Sequence, residues 1–297
     1  VFRDLYLSLY GRLSKSLPGP NIKFRIKSKI LMLDSTLISL SLKVFDWAKY
    51  RRHKGAMKLH TLLDYQGAMP VFIHLTDGKV YETTVAREMS FPKGSVLICD
   101  RGYLDYELLN DWDQNKQIRF VVRNRKRMSY KVIKNLPVES TNILKDQIIE
   151  LTNVLPRRKY NSKLRRVEVW DDENEKIIIL ITNQTKSWTA ETISQLYKAR
   201  WQIEIFFKEI KQHLKIKSFV GTTINAVLTQ IWTAMITLLL LKYLKAKAKF
   251  NWNLSNLVSF IRFNLLVNVN LFSWLDEPIF TQLRASPMSD QLLLFNM

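Results

Sequence analysis

Cysteine occurs once in the 297 residues, at Cys99, so the chain can close no internal disulfide and can build no cysteine-based zinc site. A reducing cytoplasm suits such a chain. The four histidines, His53, His60, His74 and His213, keep no H-x-x-x-H or comparable spacing, which removes the common histidine metal sites. Acidic side chains are few beside basic ones. Against 46 Lys and Arg stand 26 Asp and Glu, a formal net charge of +20. A folded chain this basic attracts polyanions; nucleic acid is the leading partner and an anionic membrane surface the alternative. No signal-peptide pattern opens the chain, and internal repeats and low-complexity segments are absent. A start at Val1 rather than Met leads us to expect that an upstream segment is missing. The longest apolar run, Val227 to Leu244, is broken by Thr229, Gln230, Thr233 and Thr237 and carries Lys242 near its end. It approaches the length of a bilayer span, but we read it as a buried helix.

In chain order, Phe2 to Leu17 reads as a short helical stretch closed by Pro18-Gly19-Pro20. Lys29 to Leu40 is a strand dense in β-favouring residues, with Asp34 in its middle. A carboxylate there is costly to desolvate unless a cation or donors meet it; the plainer alternative is a strand-end Asp facing water. A basic link follows (Lys49, Arg51, Arg52, His53, Lys54), then strands Ala56–Asp64 and Met69–Thr76. Asp64 and Asp77 adjoin turn glycines and are left structural. Thr83 to Met89 is a short helix. The run Val96-Leu-Ile-Cys suggests a strand buried on both faces, with Asp100 at its carboxyl end and Gly102 permitting a tight turn into a helix from Tyr103 to about Asn115. Carboxyl ends of such strands are where α/β sheets place ligand-binding residues. A further strand follows, Arg119 to Val122.

Beyond it two basic clusters appear: Arg123, Arg125, Lys126, Arg127 and Lys131, then Arg157, Arg158, Lys159, Lys163, Arg165 and Arg166 around Tyr160. With the alternating runs Arg166–Trp170 and Lys176–Thr182, this reads as a β-rich insertion with basic loops turned toward DNA; a solvated charged surface is the alternative. Next comes LYKARWQIEIFFKEIKQHL, Leu196 to Leu214, a helix capped by Thr189 or Ser187. Leu196, Ile203, Phe207, Ile210 and Leu214 form one apolar face. Beside it, Tyr197, Arg200, Glu204, Lys208 and Lys211 form a second stripe, one carboxylate ringed by cations and a phenol. A solvated ladder of ion pairs looks similar. Helices at about Asn225–Lys247 and Leu254–Leu266 follow, then a loosely ordered tail holding Pro278 and Pro287.

Tyr197-x2-Arg200-x3-Glu204-x6-Lys211 resembles the Y-R-E-K motif of bacterial insertion-sequence DDE transposases of the IS-four family, and Asp100-Arg-Gly-Tyr resembles that family's second block. The resemblance covers roughly residues 29–244. It implies an α/β fold with a ribonuclease H-like mixed sheet, a β-rich insertion and C-terminal helices. Its divisions fall at residues 1–28 (remnant of an N-terminal helical domain), 29–125 (core, first part), 126–186 (insertion), 187–250 (core, second part) and 251–297 (C-terminal helical segment). It implies Asp34, Asp100 and Glu204 as the catalytic, metal-holding carboxylates, and Tyr197, Arg200, Lys208 and Lys211 as DNA-binding residues. Two Mg²⁺ ions, with Mn²⁺ as a substitute, would serve DNA cleavage at transposon ends and strand transfer into target DNA. A homodimer on DNA, in the bacterial cytoplasm at the nucleoid and away from membranes, is the implied setting. Trp170 and Trp188 are candidates for stacking on an extruded base, though both read more simply as core. The other readings are a ribonuclease H-like nuclease without strand transfer and a DNA-binding remnant without activity.

Overall fold

The computed structural model describes residues 1–19, 24–40, 49–51, 54–124, 128–212, 219–264, 266–267 and 270–278. Arg52 and His53 of the basic link, Arg125 to Arg127, His213 and Leu214, and Pro287 lie outside the described residues. The chain divides into two units, residues 19–232 and residues 1–18 with 233–297.

Among the described residues the larger unit is built on one sheet of ten strands: β1 (Ile30–Leu40), β2 (Lys49–Arg51), β3 (Lys54–Asp64), β4 (Met69–Asp77), β5 (Val96–Cys99), β6 (Arg119–Arg123), β7 (Tyr130–Asn135), β8 (Ile143–Leu151), β9 (Leu164–Asp171) and β10 (Lys176–Thr182). β1 lies antiparallel to β3 and parallel to β5, and β5 lies parallel to β6. With β4 antiparallel to β3, the order β4-β3-β1-β5-β6 is that of a ribonuclease H-like sheet. All four residues of β5 are fully buried, as a run of Val-Leu-Ile-Cys in a central strand requires. The sheet continues past β6 through β10, β9, β8 and β7, each antiparallel to its neighbour. Alternation in the sequence points to β9 and β10 but to neither β7 nor β8.

Alternation along β1 separates the two faces of the sheet. Leu31 and Leu33 join one core cluster with Leu97 and Cys99 of β5, Val85 and Ala86 of helix α2 (Glu82–Glu88), and Tyr103. Helix α1 (Phe2–Leu13) belongs to the smaller unit. Met32 and Asp34 project to the other face, where α6 (Trp201–Gln212) packs on β1 and α5 (Ala190–Ala199) on β5 and β6.

The expected helix from Tyr103 to Asn115 is instead three pieces: a 3₁₀ turn Arg101–Tyr103, α3 (Tyr106–Asn110) and a π turn Asp111–Asn115. Two Asp caps cause the restart. Asp100 accepts from Gly102 N, and Asp105 accepts from the amides of Glu107 and Leu108 at 3.0 Å each. The single helix expected from Leu196 is likewise two. α5 ends at Ala199, and Arg200 carries i→i−3 bonds, its N–H to Tyr197 O and its O from Ile203 N, both 3.1 Å. The buried face is as the periodicity predicts, with Leu196, Ile203, Phe207 and Ile210 all inside. Thr189 caps α5 by accepting from Thr192 N.

A second correction concerns the basic insertion. Arg165 and Arg166 are buried, not DNA-facing. Arg165 grips both oxygens of Asp146 and also donates to Trp188 O; Arg166 pairs with Glu168 and lies over the Tyr130 ring at 4.9 Å. Tyr160 is buried too, its hydroxyl donating to Asp113 at 2.7 Å. Arg157, Arg158, Lys159 and Lys163, on and beyond the short helix α4 (Val154–Lys159), are exposed.

The smaller unit holds α1, α8 (Leu254–Asn264) and α9 (Leu271–Asp276); α7 (Ile224–Lys247) begins in the larger unit and ends here. Over residues 271–276, α9 replaces the loose tail expected there; residues 279–297 lie outside the described residues. Asn270 caps it, and Trp274 and Leu275 are buried. Leu241, Trp252, Leu257 and Leu275 form a small core in which Trp252 Nε1 donates to Leu275 O at 2.8 Å. Among the described residues α7 has the length and apolarity of a membrane span; a little under half of its most apolar stretch is buried, and soluble core helices share that composition.

Candidate active site

Where β5 ends at Cys99, the sheet opens beside β1. Leu33 is the last residue of β1 paired with β5, so Asp34 and Asp100 follow a matched pair of positions on neighbouring parallel strands. Gly102 lets the Asp100 carboxylate tuck back onto the turn: its N–H donates to Asp100 Oδ1 at 2.8 Å, and a Cβ there would sit 3.0 Å from the same oxygen. From the α-helical side, Arg200 reaches Asp34 Oδ2 at 3.1 Å and also bonds Glu204 Oε1. One guanidinium thus ties together carboxylates 166 residues and four residues away in sequence. Ser35 N donates to Asp34 Oδ1 at 2.7 Å, and Lys211 Nζ donates to Thr36 Oγ1.

Asp34, Ser35, Thr36, Asp100, Arg200, Glu204, Phe207, Lys208, Lys211 and Gln212 line one cavity of about 480 Å³. Six of the seven predicted site residues therefore share a wall. Tyr197 does not. It is buried, with Arg200 5.6 Å from its ring centroid, and supports the arginine from below. Lys208 is exposed at the rim. Of the two tryptophans that are candidates for base stacking, Trp188 is buried, while Trp170 on β9 is partly open.

Three acidic groups crowd around one guanidinium, with Lys208 and Lys211 on the same wall. Burial first, then the charge of Asp100, push the Asp34 carboxyl up to about 7; Arg200 and the Ser35 amide pull the other way, and Glu204 adds to the rise. Arg200 itself is held above its ordinary value: burial opposes its charge, but Tyr197, Asp34 and Glu204 outweigh that. Among the described residues no three His, Cys, Asp or Glu side chains stand ready around a common ion point, since Glu204 is turned to Arg200. The donor set is all carboxylate oxygen, the chemistry that suits Mg²⁺ or Mn²⁺, and the raised Asp34 pKa shows a place that gains from added positive charge.

Sequence reasoning passes over Glu82, Lys58 and Tyr103, which back the cavity. Lys58 sits within the apolar strand β3 and is nearly buried, donating to Glu82 Oε1 at 2.9 Å and Val80 O at 2.7 Å. A lysine inside an apolar strand is a legible sign of a buried partner.

Residues 25–240 match the family model of the transposase DDE domain. The chain belongs to the DDE-domain transposases. Its relatives include a Sinorhizobium fredii protein named as transposase y4zB, 34% identical over 82% of this chain and 67% of its own length. A Geobacillus stearothermophilus protein named for the transposase of insertion sequence element IS5377 is 29% identical, over 80% of this chain and 63% of its own. A Synechocystis protein named for the transposase of element IS4SA is 23% identical over 93% and 77%. The chain thus spans about two thirds of the first two relatives' length. Among solved structures, the piggyBac transposase synaptic complex with hairpin DNA overlaps 89% of this chain and 55% of its own at a TM-score of 0.44 and 10% identity. The family is that of bacterial insertion-sequence transposases, whose members generally use divalent metal ions.

Proposed function

We propose that this chain carries the catalytic centre for DNA strand cleavage at transposon ends and for strand transfer into target DNA. The observation that carries the reading is the cavity on which Arg200 joins Asp34 to Glu204 while Asp100 lies on the same wall. Asp34, Asp100 and Glu204 would hold two divalent cations, Mg²⁺ or Mn²⁺, with Glu204 free to join once its oxygen leaves Arg200. Bound there, the ions would supply an activated water and neutralise the leaving oxygen.

The chain's own residues do the rest. Arg200 carries two donors, Nη1 and Nη2, in a fork that suits a phosphate as well as two carboxylates. As a DNA phosphate enters, the fork transfers to it, which frees both carboxylates in one movement. Lys208 and Lys211 add point charges along the same wall. Tyr197 keeps Arg200 aimed upward from the helix junction rather than touching phosphate itself. Residues 29–125 and 187–250 act as the two parts of the core, 126–186 as the insertion and 251–297 as the C-terminal segment. A dimer bridging two ends at the bacterial nucleoid is the assembly this reading implies.

Nicking of supercoiled plasmid and joining of an oligonucleotide end, with Mg²⁺ or Mn²⁺ and with chelator, test the reading. Activity is expected to depend on the metal and to vanish in Asp34→Asn, Asp100→Asn and Glu204→Gln. Cleavage that survives all three substitutions refutes the assignment; cleavage without joining marks a nuclease instead.

A further inference from the structure

β1 outruns β5. Leu33, opposite Cys99, is its last residue paired with that strand, while its antiparallel pairing with β3 continues to Leu40. Asp34, Ser35 and Thr36 therefore have a strand on one side and line the cavity on the other. Just there the apolar file of Leu31 and Leu33 is broken, because Ser35 is the next residue on their face. A β-branched apolar side chain would suit such a strand position better. The serine hydroxyl instead donates to Glu82 Oε1, at the start of α2, at 3.1 Å. The same oxygen receives Lys58 Nζ of β3 at 2.9 Å, and Lys58 also donates to Val80 O at 2.7 Å.

One carboxylate oxygen thus joins α2 to two neighbouring strands. The ladder between β1 and β3 already holds those strands together, so the sheet does not depend on the Ser35 bond. Nor does Lys58, whose nearly buried ammonium is met by Glu82 and Val80. What the Ser35 bond adds is a hold on the backbone that carries Asp34. Ser35 N donates to Asp34 Oδ1 at 2.7 Å, so hydrogen bonds run without a gap from Lys58 through Glu82 and Ser35 to the carboxylate. Glu82 is paired with a lysine, and a bond from a hydroxyl to such an anion is stronger than one between neutral groups.

We propose that Glu82 is a positioning residue for Asp34 and acts through Ser35. With the Ser35 amide on Oδ1, the plane of the Asp34 carboxylate is set, and Oδ2, held by Arg200, is the oxygen left to a cation when the guanidinium moves to phosphate. The Ser35 amide is the donor that stays. Its place depends on a strand edge without a neighbour, and Glu82 secures that edge from the opposite face of the sheet. Groups hydrogen-bonded to a metal ligand commonly contribute 10- to 100-fold in metal affinity; Glu82 stands one bond further out and contributes less.

This inference rests on the metal-holding role of Asp34 given above, and the experiment separates the two. Mn²⁺ alone is titrated into the full chain bound to duplex DNA and read by electron paramagnetic resonance, with the DNA alone as blank. The variants are Asp34→Asn, Ser35→Ala, Ser35→Thr, Glu82→Gln and the double change of Ser35→Ala with Glu82→Gln; melting temperatures are taken on each without metal. Ser35→Ala is expected to weaken Mn²⁺ binding about tenfold, Ser35→Thr to restore most of that loss, and Glu82→Gln to weaken binding about threefold. Added to Ser35→Ala, Glu82→Gln is expected to change the affinity no further, because the path to Asp34 is already cut, while it lowers the melting temperature in both backgrounds by weakening the Lys58 pair. Mn²⁺ affinity unchanged in Ser35→Ala or in Glu82→Gln overturns the inference alone. So does a threefold loss that recurs in full in the double change, which marks Glu82 as acting through the stability of the sheet. Wild-type binding that Asp34→Asn does not alter overturns the site assignment and this inference with it.

Discussion

Two regions of the larger unit bury arginine against carboxylate, and they do opposite things with it. In the β-rich insertion, Arg165 meets Asp146 with two parallel bonds and donates from Nη1 to Trp188 O; Arg166 and Glu168 form a second pair beside it. Arg165 and Asp146 match one to one, their side chains 5% and 2% exposed, while Lys145 also reaches Glu168 from the surface at 3.5 Å. In the cavity one guanidinium is divided between Asp34 and Glu204 while Asp100 goes without it, and burial, then the charge of Asp100, push the Asp34 carboxyl up to about 7. A saturated pair fixes a fold. An unsaturated cluster opening on solvent has unused affinity for cations and exchangeable contacts for anions. Buried arginine alone therefore does not mark a site; carboxylates crowded around one shared guanidinium do.

The largest expected effect falls on the unsaturated side. Asp100→Asn removes the carboxylate that lacks an arginine, and metal-dependent nicking should drop at least about a thousandfold, roughly 4 kcal/mol of barrier, with the fold intact by circular dichroism. Next comes the saturated side. Asp146→Ala strands Arg165 in the insertion and should cost about 3–5 kcal/mol in urea unfolding, whereas the double change Asp146→Leu with Arg165→Met should be close to neutral. If the double change proves as harmful as the single one, the contrast between the regions fails.

Burial beside a second carboxylate also makes the cavity pH-sensitive. The native Asp34 pKa of about 7 lies above its ordinary value of 3.8, so the folded chain binds this proton more tightly than the unfolded chain does. That contribution is complete below about pH 4 and is lost as pH rises through about 7. In metal-free buffer Asp34→Asn should therefore match wild type near pH 4 and gain on it toward pH 8, by up to about 4 kcal/mol. Chemical denaturation at the two pH values checks this. Saturating Mg²⁺ at pH 8 should favour wild type instead.

Much of the site is legible in the sequence because it depends on local pattern. An acid in an apolar strand, a second at the end of a run buried on both faces, and a helical stripe around Glu204 each follow from period and burial cost. The order of the core strands is legible for the same reason. What escapes depends on partners distant in sequence. Arg165 and Arg166 group with Arg157 and Arg158 in the sequence because a count of charges does not see pairing. Arg166 and Glu168 stand two apart on one face of a strand, so a period-two reading pairs them. Arg165 cannot be placed without β8, which brings Asp146. The break at Arg200 is hidden too, since one tightened turn hardly disturbs a 3.6-residue period.

The smallest effect divides the two regions by reach to DNA. Removing a side chain that meets one phosphate should flatten the dependence of log affinity on log salt by about 0.9 for a duplex. Lys211→Ala, on the cavity wall, should show a decrease of about that size in fluorescence anisotropy with a labelled duplex, and Arg158→Ala, exposed on α4, a similar one. The apolar replacement of Arg165 with Asp146 should leave the slope unchanged, because that pair faces inward and removes as much charge of one sign as of the other. Equal flattening by all three would mean that the insertion's arginines leave their pairs to meet DNA, and that the two regions are not of different kinds.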